Sequence, residues 1–176
     1  MATALLALVI ISLSPAHAGP FERGEYYAGH GEFSHALAAY KAAVEQSDRD
    51  TRALANFKIA RIYVAMENWL AAASHFAKVV ADKPKWSKAQ SGLAWSLYSL
   101  GHYKAALEHA RSATKLAPED YFALDTFGRI HIALDNVPEA ARALRAAWRA
   151  DPRHEKGVMD LIRIGGFPPN SHLDRA

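Results

Sequence analysis

The sequence predicts an all-α fold built as a stack of helix hairpins, and three observations carry that expectation. Pro84, Pro118 and Pro152 stand 34 residues apart, each closing an amphipathic segment. Between them apolar residues recur at three- and four-residue spacing, the period of one helix face. Alanine dominates an apolar set that makes up 51% of the chain. It has the best helix propensity and lets two helices approach closely.

The stretch Trp86 to Pro118 sets the frame. Ala89, Leu93, Leu97 and Leu100 draw one apolar stripe, and Tyr103, Ala106, Leu107, Ala110, Ala113 and Ala117 draw a second. Gly101 between them suits the left-handed position that ends a helix. Pro118 lacks the N–H that a continuing helix needs. Laid along the chain, this frame gives repeats 17–50, 53–86, 87–120 and 121–154, with Thr51 and Arg52 inserted after the first. Small residues recur in each first helix (Gly24, Ala60, Ala94, Gly128) and early in each second helix (Ala36, Ala72, Ala106, Ala140). Ring-sized or large residues fill the wider gaps: Tyr40, Phe76 and Leu144, with Ala110 departing in the third repeat.

The turns follow the same logic. Gly31 and Gly101 fit left-handed caps, Asp135 or Asn136 tolerates that backbone, and so does Asn68 after Glu67. Pro20 suits a first helical turn, whereas Arg23 and Asp48 sit where the other repeats have an apolar residue and a proline. Beyond Pro152, residues 155–164 place Val158, Leu161 and Ile162 on one face and read as a capping helix, with Lys156, Asp160 and Arg163 turned outward or sideways. Residues 165–176 carry no periodicity and are expected to be a flexible tail.

At the other end, Ala4 to Leu13 is an apolar run of ten, followed by Ser-Pro and Ala16-His17-Ala18. This reads as an export signal, residues 1–18, cleaved before Gly19, although no Lys or Arg precedes the run. The other reading is a buried first helix. Cysteine is absent, which removes disulfides, zinc thiolates and a cysteine nucleophile. A net charge of +3 argues against a dedicated nucleic-acid binder.

The repeated small, aromatic and proline positions make the chain resemble a tetratricopeptide repeat protein over about four repeats. The resemblance implies a right-handed superhelical solenoid with the capping helix at its end. It also implies a concave groove lined by the first helices, at frame positions 2, 5, 9 and 12. Those positions hold Leu54, Phe57, Arg61 and Val64; Lys88, Ser91, Trp95 and Tyr98; Phe122, Asp125, Arg129 and Ile132. The capping helix adds Lys156, Met159 and Arg163. Phe57 and Phe122 serve either the groove or packing between repeats, while Trp95 and Tyr98 lie off the buried stripe. The asparagines of the two-carboxylate clamp found in chaperone-binding relatives are absent.

Five basic residues (Arg61, Lys88, Arg129, Lys156 and Arg163) against one acid predict a groove for an acidic or C-terminal segment of a partner protein. The function expected is therefore a non-enzymatic scaffold or adaptor in a bacterial periplasm, without cofactor. The alternative is self-assembly through end repeats, or an envelope assembly factor using the basic stripe Arg142, Arg145 and Arg149. That stripe also reads as an ordinary solvated convex face, and membrane association is not expected once the signal is cleaved. Nine histidines form no metal motif, and the pairs His30/His35 and His102/His109 miss the i, i+4 spacing of a one-face site. His131 replaces a tyrosine and is expected to be buried. No nucleophile elbow, phosphate loop or dinucleotide fingerprint is present, so no catalytic residue is assigned. Export with cleavage predicts a mature chain beginning at Gly19, which N-terminal sequencing of the exported protein checks; a chain still beginning at Met1 overturns it.

Overall fold

A computed structural model describes residues 18–153 together with Asp160, Arg163 and Ile164. The expected signal up to residue 17, most of the capping helix including Lys156 and Met159, and the tail 165–176 lie outside the described residues. The described residues form eight helices and no strand. They pair as hairpins α1 (Pro20–Gly29) with α2 (Phe33–Gln46), α3 (Arg49–Ala65) with α4 (Trp69–Asp82), α5 (Ser87–Ser99) with α6 (Tyr103–Leu116), and α7 (Tyr121–Ala133) with α8 (Val137–Ala150). This is an all-α, tetratricopeptide-like solenoid of antiparallel hairpins. The chain divides into two compact units at Lys83 and Pro84, the first holding α1 to α4 and the second α5 to α8.

In the first unit, Ala36, Tyr40, Ala43, Ala55, Ile59 and Ile62 form a core against which Phe21, Tyr27 and Tyr63 pack. Pro20 does begin α1. Arg23, out of place as a core residue, bends back and donates to the Ala18 carbonyl at 2.8 Å. Asp48 replaces the proline of the other repeats for a reason of its own. Its carboxylate caps α3, accepting the N–H groups of Asp50 at 2.8 Å and Thr51 at 3.1 Å. The helix therefore starts early, at Arg49, and the inserted Thr51 and Arg52 become part of its first turns. α3 has 17 residues where α5 and α7 have 13.

The turns use positive φ in all four hairpins: Gly31 at 74°, Glu67 at 54°, Gly101 at 80° and Asp135 at 58°. Asn68, expected as the tolerant residue of the second turn, leaves that backbone to Glu67. Its amide oxygen instead accepts the Ala71 N–H at 3.2 Å, satisfying a donor at the start of α4.

What holds each hairpin together is a matched pair of sizes. Gly24 lies under the ring of Tyr40, and Gly128 lies under Leu144. The third repeat has Ala94 opposite Ala110, and the space left by the small partner is filled by Ile130 from the next hairpin, with Leu97, Leu107 and Phe127 around it. Ala110 is thus the compensated exception to a rule of large against small.

A polar link repeats beside this packing. His75 Nδ1–H donates to the Asn56 amide oxygen at 2.8 Å, and His109 Nδ1–H donates to that of Gln90 at 2.9 Å. Each amide in turn donates to a backbone carbonyl, Asn56 to Arg52 at 3.0 Å and Gln90 to Pro84 at 2.8 Å. Burial disfavours the imidazolium in both rings. His75 is lowered to about 4 by burial and then by Lys78 and Lys41, and His109 is lowered by burial against the opposing pull of Glu108. His131 is buried, as expected, with its ring edge-on to Phe127 at 4.5 Å.

Two outcomes follow from this packing. A Cβ on Gly128 would meet Leu144 Cγ at 2.6 Å, so Gly128→Ala should destabilise by about 1–3 kcal/mol. Gly29→Ala, whose Cβ meets nothing within 4 Å, should be neutral or stabilising. A double-mutant cycle with Leu144→Ala checks the mechanism, because the Gly128 penalty should shrink once the large partner is gone. For acid, an unfolded histidine takes its proton near pH 6.5, about 2.5 units above folded His75. The neutral ring therefore contributes stability above about pH 6.5 that is lost as pH falls toward 4. Urea midpoints should drop across that window and drop less in His75→Gln; superimposable profiles would rule out this link as the source.

Candidate functional site

In the second unit the first-helix positions resolve into an aromatic group and a buried ion cluster. Leu93 is buried, and Tyr98, expected off the buried stripe, packs against the hairpin core of Ala94, Ala106 and Ala110, so of Trp95 and Tyr98 only Trp95 lies outside that core. Their rings stack at 5.4 Å and 27°, both half-buried. Phe122 from α7 lies 6.1 Å from Trp95, and Tyr103 lies 5.6 Å from Tyr98. Phe122 thus both packs and contributes to the ring surface. Burial pushes the Tyr98 hydroxyl above its ordinary value, opposed by nearby Arg129. Lys88 is exposed at the start of the same helix.

Three expected groove residues of this unit are buried instead. Ser91 is 2% exposed, and its hydroxyl donates to the Lys88 carbonyl at 3.3 Å. Arg129 is 6% exposed and is clamped between carboxylates, Nε to Asp125 at 2.6 Å and Nη1 to Asp160 at 2.6 Å. The i, i+4 spacing places Asp125 one turn from Arg129, and a buried guanidinium without partners would be costly. Burial alone would make Arg129 less basic, but the two carboxylates outweigh it and its pKa is raised. Asp160, expected to point outward or sideways, is the second jaw of this clamp. It also meets Arg163 at 3.4 Å. Arg129 is therefore not a cation awaiting a partner, and the two arginines and two aspartates of the cluster cancel in charge.

The first unit shows the reverse. Phe57 is buried and sits edge-on to Phe76 at 5.7 Å, which settles it as a packing residue. Arg61 is exposed and lines an open pocket of about 390 Å³ shared with Glu25, Phe33, Tyr40, Lys58 and Ala65. Glu25 accepts from the Tyr40 hydroxyl and from Lys58 Nζ at 2.7 Å. Burial raises the Glu25 pKa, but the bonds from Lys58 and Tyr40 prevail and hold it below the usual carboxylate value. Sequence reasoning missed Glu25. The signal was present: it precedes Arg61 by one repeat plus the two inserted residues, so it occupies the same ninth position of its frame.

On α8, Arg142 pairs with Glu139 one turn back, and Arg149 is exposed. Among the described residues no three His, Cys, Asp or Glu side chains come together as a metal-binding group, and no helix is long and apolar enough to cross a membrane.

Residues 57–121 match the tetratricopeptide repeat family. No curated protein matches the sequence. Among solved structures, the fold is similar to a crystal structure of MamA, with 16% identity, 84% of this chain and 80% of that chain covered, and a TM-score of 0.75. It is also similar to YrrB, described as a TPR protein with an unusual peptide-binding site, at 17% identity, 78% and 70% coverage and a TM-score of 0.67. A third likeness is to the first TPR of Spaghetti (RPAP3) bound to the HSP90 peptide SRMEEVD, at 18% identity, 64% and 90% coverage and a TM-score of 0.61. The chain thus has the tetratricopeptide repeat fold, with a family match that runs from α3 to the start of α7.

Proposed function

We propose that this protein is a non-enzymatic interaction scaffold that binds a segment of a partner protein on its first-helix faces, after export to the periplasm. The observation that carries the reading is the stacked pair Trp95 and Tyr98, extended by Phe122. Trp95 is half-buried beside Tyr98, which anchors the pair on the hairpin core, and rigid aromatics give large contact area at low entropic cost. Two proteins of the same fold, YrrB and RPAP3, are described with a peptide-binding site or a bound peptide, which supports the reading by analogy of fold. The export part rests on the apolar run Ala4–Leu13 and the small-residue pattern at Ala16 and Ala18.

The test is selection from a random dodecapeptide display library on the full chain. Enriched peptides should share a consensus and lose at least about tenfold in affinity on Trp95→Ala, the loss of one aromatic anchor. No enrichment, or binding unchanged in Trp95→Ala, overturns the reading. Arg129→Gln separates binding from folding. It strands two carboxylates in the cluster and should destabilise by about 3 kcal/mol, lowering the thermal midpoint, whereas Trp95→Ala should move it far less.

A further inference from the structure

We propose that a socket beside Ala143, lined from α6, α7 and α8, receives one neutral aromatic side chain, a tryptophan or tyrosine of a partner protein. The socket is separate from the Trp95 surface and stands or falls independently of it.

In two other repeats the chain fills the same place itself. The twenty-third position of the frame holds His75 in the second repeat and His109 in the third. Each ring donates to the amide at the fourth position, Asn56 or Gln90. In the fourth repeat those positions hold Ala143 and Leu124, so ring and amide are both gone. A pocket of about 340 Å³ stands there instead, lined by Leu124, Phe127 and Ala143 with Thr114, Glu139 and Arg142. This is the lower end of the usual range for ligand sites, room for a single ring. The seventh position registers the loss. Ile59 and Leu93 are 0% and 4% exposed, whereas Phe127 at the same place is half-buried and lines the pocket.

His131 has lost a neighbour for the same reason. At the eleventh position of the second repeat, Tyr63 stacks on His75 at 5.7 Å and 28°. His131 holds that position in the fourth repeat, and Ala143 stands where the second ring was. It is 5% exposed, and neither ring nitrogen has a hydrogen-bond partner among the described residues. Buried polar groups in that state are rare and costly. A planar ring seated beside Ala143 restores the neighbour that Tyr63 has.

The rim selects among rings. Glu139 accepts from Arg142 at Oε1, while its Oε2 accepts no bond among the described residues. It offers an acceptor to a ring N–H or O–H, as the amides do for the two histidines. Arg142 can lie across the face of a seated ring, and it repels a protonated imidazole. Indole and phenol rings meet both conditions and stay neutral. Arg142 is exposed, so the socket opens to the surface. Sites for free ligands cover most of the ligand. Here the outer side of the ring is left for a partner's own surface to cover.

The experiment is an NMR titration of the full chain with acetyl-Gly-Trp-Gly amide, its tyrosine and cyclohexylalanine counterparts, and free indole. The tryptophan or tyrosine peptide should bind at about 1 mM or tighter, and about fivefold tighter than the cyclohexylalanine peptide. Shifts should centre on Thr114, Phe127, His131 and Ala143. Ala143→His should abolish this binding by placing the chain's own ring in the socket. Thr114→Trp, at the half-exposed mouth, should do the same and serves if Ala143→His does not fold. Glu139→Ala should weaken the aromatic peptides and leave the cyclohexylalanine peptide unchanged, and Trp95→Ala should leave all of them unchanged. Binding of free indole without either aromatic peptide overturns the partner side chain as occupant. Absence of an aromatic preference, shifts centred on Trp95, or binding that survives the socket variants overturns the site.

Discussion

Everything in this fold depends on how closely the two helices of a hairpin approach. At that contact one helix supplies Gly24, Ala60, Ala94 or Gly128, and the other supplies a residue chosen to fill the space above it. Where the first is glycine, its partner is a tyrosine or a leucine; where both are alanine, an isoleucine from the next hairpin closes the gap. Close packing of this kind fixes the rotation of each first helix about its axis. That rotation decides which side chains turn inward and which turn toward solvent. The exposed faces of the first helices are by-products of core fit.

The ninth position of the frame shows how far one register can diverge. Glu25, Arg61, Trp95 and Arg129 occupy it in turn. Glu25 is tied to Tyr40 and Lys58, and Arg129 is shut between Asp125 and Asp160. Arg61 stands open, and Trp95 lies stacked on Tyr98. Equivalent backbone places have thus been given an acid, a base, a ring and a buried ion pair. The chemistry each performs is set by neighbours three to five residues away or on an adjacent helix, not by the repeat itself.

This explains what was legible in the sequence and what was not. Helix number, turn positions and the roles of Pro20, Gly31 and Gly101 followed from local rules of backbone geometry. Burial of the small residues followed from periodicity. The state of Arg129 did not, because Asp160 lies 31 residues further along the chain and looked like a solvated residue of another helix. Ser91 and Phe57 sat at groove-facing positions by frame, but a short hydroxyl turns back to its own helix, and a phenyl ring finds Phe76. Asp48 read as a blemish because one repeat lacked its proline. Its capping role needed the three-dimensional start of α3 to become visible.

The paired histidines have a consequence of a different kind. Repeats of nearly equal shape invite mistaken identity, since a helix could dock against the neighbour's partner instead of its own. The hydrophobic contacts differ in size between repeats and give one guard against this; the polar links give another. The two amides are not alike: Asn56 is one methylene shorter than Gln90, and each reaches its own histidine at 2.8 or 2.9 Å. An exchanged helix would arrive with its amide too long or too short, stranding a buried donor or acceptor at about 1–3 kcal/mol. The difference between an asparagine and a glutamine thus acts as an address label, telling each middle helix which neighbour is its own.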